Sequence, residues 1–174
     1  MKSSVISLSA ALLGLTACAQ TTPGGAELQP DLAWVEEGFG WVAVTDADAP
    51  PKRLAFGMEN TDWIIILLTC AEQPGEYDFT YFNAENETDG AKSPIRLSGE
   101  AGRADIGGRI QCEDAQIGPD CVTEATAKGE TFKALMTSAD PVRVNAAGEL
   151  KWYPAPGQHG EAFIEACRAE TPIA

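Results

Sequence analysis

Apolar and polar residues alternate along most of the chain with a period of two, the spacing of strands that bury one face and wet the other. Tyr77, Phe79 and Tyr81 interleaved with Asp78 and Thr80 are the clearest case. Gly, Pro, Asn and Asp break this pattern at short intervals, which predicts strands at Gly40–Thr45, Arg53–Met58, Trp63–Cys70, Glu76–Phe82, Ile95–Ser98, Arg103–Ile106, Val142–Asn145 and Glu149–Tyr153. Gln73-Pro74-Gly75 turns the third of these back onto the fourth, and Asn145 to Gly148 separates the last two.

Helical periodicity is confined to two stretches. Glu130–Ala139 places Phe132, Leu135 and Met136 on one face, and Pro141 forces Asp140 out of helical geometry. Gly160–Ala169 aligns Phe163, Ile164 and Cys167, with Glu161 in its first turn and Arg168 in its last, as the helix dipole favours.

The amino end follows another rule. Lys2 precedes an apolar stretch from Val5 to Leu15 that is too short to span a bilayer core, which takes on the order of 20 residues. Leu15-Thr16-Ala17-Cys18 then resembles the lipobox of bacterial lipoproteins. The resemblance implies cleavage before Cys18, acylation of its thiol and new amine, and anchorage without spanning, since two or three acyl chains hold where one does not. Ala19, where an Asp would favour retention at the inner membrane, implies the outer membrane facing the periplasm. Residues 1–17 are thus read as signal peptide and 18–31 as lipidated cysteine and tether, with Pro23, Gly24, Gly25 and Pro30 and a reach of about 20 Å. Residues 32–174 have the length of one globular domain.

An exported chain changes the meaning of its cysteines. With Cys18 lipidated, Cys70, Cys112, Cys121 and Cys167 remain, an even number that reads as two disulfides with three possible connectivities. Gly118-Pro119 inside the short Cys112–Cys121 segment is read as a turn and favours that pair, leaving Cys70 with Cys167. The strand ending in Leu68-Thr69-Cys70 and the helix ending in Cys167-Arg168 are similar to those of small proteobacterial envelope proteins, and distantly to the invasion-associated locus B family. That resemblance implies a periplasmic β-sandwich-like module and carries no catalytic residues; the Cys112–Cys121 loop departs from it.

Twenty-six acidic residues against 12 Lys and Arg give a net charge of −14. Such a balance disfavours nucleic acid and would attract a cationic partner. Candidate chemistry is sparse. His159, the single histidine, is placed in a loop before the last helix, and Ser93, Ser98 and Ser138 lack the G-x-S-x-G setting of a nucleophile. Glu85, Glu87 and Asp89 before Gly90 imitate a calcium loop, but Arg96 stands where the bidentate glutamate belongs, so they read as a solvated acidic turn and no metal or cofactor is expected. Among the aromatics, Trp63 is assigned to the core and Trp152-Tyr153-Pro154 to the surface, where with Glu85, Glu87 and Asp89 they form the possible binding surface.

The expected fold is mainly β: an antiparallel sandwich or half-open barrel closed by one C-terminal helix, with a second short helix. The expected function is a non-catalytic envelope lipoprotein that binds a protein or cell-wall component. A carboxylate-dependent envelope glycan hydrolase and a purely structural lipoprotein are the alternatives.

Overall fold

The computed structural model describes residues 38–44, 50–82, 88–115 and 118–168; the leader, Cys18, the tether, Glu85 and Glu87 lie outside them. Among the described residues ten strands form two antiparallel sheets. The larger holds β1 (Phe39–Val44), β2 (Arg53–Met58), β3 (Ile64–Cys70), β4 (Glu76–Tyr81), β7 (Gly108–Ala115) and β8 (Gly118–Lys128), in the order β1-β2-β3-β4-β8-β7. The smaller holds β5 (Ile95–Gly99), β6 (Gly102–Ile106), β9 (Val142–Ala146) and β10 (Glu149–Tyr153), in the order β10-β9-β5-β6. The architecture is a mainly β sandwich with a C-terminal helix, and neither sheet closes into a barrel.

The period-two pattern explains the core. Tyr77, Phe79 and Tyr81 are each about 1% exposed, and cross-strand pairing sets Phe79 beside Leu68 and Tyr81 beside Ile66. From the smaller sheet Ile95, Leu97, Val142, Val144 and Tyr153 face the same interior. Phe56 meets Tyr153 edge to face at 5.0 Å, which ties β2 to β10 across the gap between the sheets. Each such side chain removed from water contributes roughly 1.5–3 kcal/mol.

The two helices cover one end of this core. Helix α1 (Glu130–Met136) buries Phe132, Leu135 and Met136, the predicted face, but ends three residues before Ala139. Helix α2 (Gly157–Arg168) buries Phe163, Ile164 and Cys167 and packs on β1, β2 and α1. It starts three residues earlier than its periodicity suggests, so Glu161 lies beyond the first turn, which holds no acidic residue. His159 consequently sits on the exposed start of a helix and not in a loop. Tyr77 packs on Phe132 at 5.3 Å and on Phe163 at 5.7 Å, joining both helices to β4.

Disulfides join Cys70 to Cys167 and Cys112 to Cys121. The first fastens α2 to the end of β3. The second links directly opposed residues of β7 and β8. Those two strands are the chief departure from the sequence reading: Gly118 and Pro119 are not the turn but the first residues of β8, paired with Ala115 and Asp114.

Candidate functional site

The outer face of the larger sheet carries an open groove of about 1150 Å³. Its floor follows from register. Leu67 on β3 lies opposite Thr80 on β4, Thr80 opposite Glu124 on β8, and Glu124 opposite Arg109 on β7. A second row runs from Thr69 through Asp78 to Thr126. These are the alternate residues of strands whose other faces build the core, so the polar half of each period-two pattern becomes the groove.

One wall is made by the segment leading into β5, where Lys92 bridges to Arg109. That segment is laced to β7: the amides of Gly90 and Ser93 donate to the carbonyls of Ile110 and Gly108, and Ile110 donates to Ala91. Asp89 belongs to the same lacing, its Oδ1 accepting the Cys112 amide at 3.0 Å. A carboxylate expected in a solvated turn therefore supports the strand that carries the Cys112–Cys121 bond. Glu85 and Glu87 fall outside the described residues. Arg96 sits in β5 with its Nε 3.3 Å from Asp105, and no group of three His, Cys, Asp or Glu side chains gathers among the described residues.

Asp78 and Glu124 are diagonal neighbours on adjacent strands of the groove floor, a relation that sets positions about 7–8 Å apart. His159 shares no hydrogen bond with the candidate serines. Ser93 is buried and accepts from Thr123 at 3.2 Å, Ser98 accepts from Arg143 at 3.1 Å, and Ser138 accepts the Asp140 amide at 2.9 Å.

The outer face of the smaller sheet is built differently. Asp105, Arg96, Asn145 and Leu150 form one cross-strand row, and Arg103, Ser98, Arg143 and Trp152 the next. Arg103 clasps Asp105 through Nε at 3.0 Å and Nη2 at 2.9 Å, which holds the Asp105 carboxyl below the usual carboxylate range. The Arg143 guanidinium lies 5.7 Å from the Trp152 ring centre. Trp152 is half-buried on this face, whereas Tyr153, also assigned to the surface, is fully buried and its hydroxyl meets that of Tyr81. Trp63 errs the other way, being 54% exposed just before β3 and stacked edge to face on Phe39.

No helix among the described residues is long and apolar enough to cross a membrane. Comparison with protein-family models, with curated proteins and with solved structures finds no match to this chain.

Proposed function

We propose that the chain is an envelope lipoprotein, anchored through acylated Cys18 in the outer membrane and facing the periplasm, whose sandwich is a non-catalytic module binding an envelope protein or a cell-wall component. The groove across the larger sheet carries this reading. It is open to solvent and crosses four strands, and its floor of Thr69, Thr80, Thr126, Asp78, Glu124 and Arg109 offers donors and acceptors spread over two rows, not focused on one reacting atom. The floor is also rigid, because every one of these residues stands on a paired strand.

The test is co-sedimentation of the full lipidated chain with purified cell wall, together with capture from crosslinked envelopes, each repeated with Thr80→Trp to fill the groove. Loss of a specific partner in the variant supports the reading. Equal recovery with Thr80→Trp, or no recovery by either route, overturns it.

A second reading rests on Asp78 and Glu124. They stand as diagonal neighbours on the groove floor, and inverting glycosidases use such a pair of carboxyl groups, one protonating the leaving oxygen and the other activating water. Release of soluble fragments from envelope glycan, abolished by Asp78→Asn and by Glu124→Gln, would establish an enzyme in place of a binder.

A further inference from the structure

The chain's charge is strongly negative, yet three of its six arginines stand together on the outer face of the smaller sheet. Arg96, Arg103 and Arg143, with Ser98 and Asn145, surround a shallow concavity of about 170 Å³. We propose that this concavity is a binding site for a phosphoryl group, the tetrahedral dianion of free phosphate or of a phosphomonoester.

Three observations carry the assignment. The first is charge: across both rows of this face Asp105 is the single carboxylate against three guanidiniums, a local surplus of positive charge in a molecule of net charge −14. The second is preorganisation. Asp105 accepts the Nε and Nη2 edge of Arg103 and also faces Arg96 Nε at 3.3 Å, while Ser98 accepts Arg143 Nε and Trp152 supports the Arg143 plane. Arg96 and Arg143 are therefore held through Nε, and Arg103 through Nε and Nη2. The Nη groups of Arg96 and Arg143 and Nη1 of Arg103 make no hydrogen bond among the described residues. Guanidinium forks presented this way match the oxygens of a phosphoryl group better than a point charge does.

The third observation is size. A concavity of about 170 Å³ has the room of roughly five or six waters at about 30 Å³ each, enough for one phosphoryl group and a remnant of its hydration. Ser98, whose oxygen already accepts from Arg143, keeps its own proton to donate. Exposed Leu150 at the rim gives the carbon portion of an ester an apolar surface to rest on. This face lies on the other sheet from the groove, so the site is independent of the groove's ligand.

The probes are inorganic phosphate, glycerol phosphate and sodium chloride at matched ionic strength, followed by amide shifts in the full chain. Saturable shifts centred on Arg96, Ser98 and Asn145 are expected with phosphate and not with chloride. Arg143→Gln and Arg96→Gln should each weaken binding at least ten-fold, and Arg143→Lys, which keeps the charge and loses the fork, should recover only part of it. All three changes are at exposed positions, and unchanged shifts in the core residues verify the fold. Tighter binding of glycerol phosphate identifies an esterified ligand, and tighter binding of phosphate the free anion; either ranking supports the site. Shifts that rise without saturation as they do in chloride, or affinity unchanged in both Gln variants, overturn it.

Discussion

Tyr81 of the larger sheet and Tyr153 of the smaller meet hydroxyl to hydroxyl, 3.3 Å apart, in the middle of the buried interior. Each is an otherwise apolar side chain whose polar end needs a partner once water is excluded, and here the two supply each other. The pair acts as a polar rivet between the sheets. Tyr153→Phe or Tyr81→Phe strands one hydroxyl and should cost about 1–3 kcal/mol. The double replacement should cost less than the sum of the two singles, because no orphan remains. Urea melts of the four proteins complete the cycle; strict additivity would show that the hydroxyls do not depend on one another.

Alkali should unfold the protein through the same tyrosine. Burial pushes the Tyr153 hydroxyl well above its ordinary value, with Tyr81 acting in the same direction, and burial raises Tyr77 against the pull of Lys133 and Arg168. A raised folded-state value means that the neutral form is favoured by folding. Its contribution is whole below the unfolded value near pH 10 and is lost as pH rises beyond it, at up to about 1.4 kcal/mol per pH unit for Tyr153. Melts between pH 8 and 11.5 should show a shallower decline in Tyr153→Phe than in the parent. Identical slopes would sink the account.

The disulfides should differ in weight. Cys70 and Cys167 are 97 positions apart and Cys112 and Cys121 only 9. Chain entropy assigns about 4.5–5 kcal/mol to the first bond and about 2.5–3 kcal/mol to the second. The paired Cys→Ala variants, compared in denaturant, should rank accordingly, with amide exchange in the second confined to β7 and β8. Equal losses would mean that α2 holds its place without the bond.

Gly160 sets how closely the two helices approach. A Cβ there would fall inside the contact radius of the Met136 carbonyl oxygen and crowd Pro156. Because the obstacle is backbone, Gly160→Ala should cost about 3 kcal/mol or more, although alanine is the better helix former. A thermal midpoint unchanged or raised in the variant would contradict this packing.

Anchorage is tested at Cys18. Cys18→Ser should abolish incorporation of a palmitate analogue and leave the protein uncleaved or soluble, as the likeness of residues 15–18 to a lipobox requires. Equal label in variant and parent would refute the anchor.

Eight of the ten strands among the described residues were legible, β4 from its alternation of large residues and β3 from an apolar run between turn residues, and Arg53–Met58 agrees residue for residue. β7 and β8 escaped for a physical reason. The inward positions of β8 beside β4 are filled by Thr123, Ala125 and Ala127, side chains small enough to lie opposite Tyr81, Phe79 and Tyr77, and β7 adds one large buried residue there, Ile110, so the alternation survives in space with little hydrophobicity to register it. Asp114, Pro119 and Asp120 then imitate a loop. Residue type misplaced the aromatics similarly: Trp63 stands exposed just before β3, whereas Tyr153 is the inward member of its own alternation. The arginine face was half visible, since Ile95-Arg96-Leu97-Ser98 and Val142-Arg143-Val144-Asn145 announce which residues point outward. What the alternation does not contain is that β5 and β9, separated by some forty residues, lie side by side.

That adjacency of distant segments has a temporal side. Helix α2 lies against β1, and the Trp41 indole donates to the Pro154 carbonyl at 2.6 Å, so the first described strand is covered by the last described helix. A chain emerging amino end first exposes Trp41 long before Pro154 exists to receive it. No partial product can seal that edge, and the oxidising step that joins Cys70 to Cys167 must wait as well. Completion is thereby reserved for a nearly finished chain, and until then the edge of the unfinished sheet is open to pairing with a neighbour's.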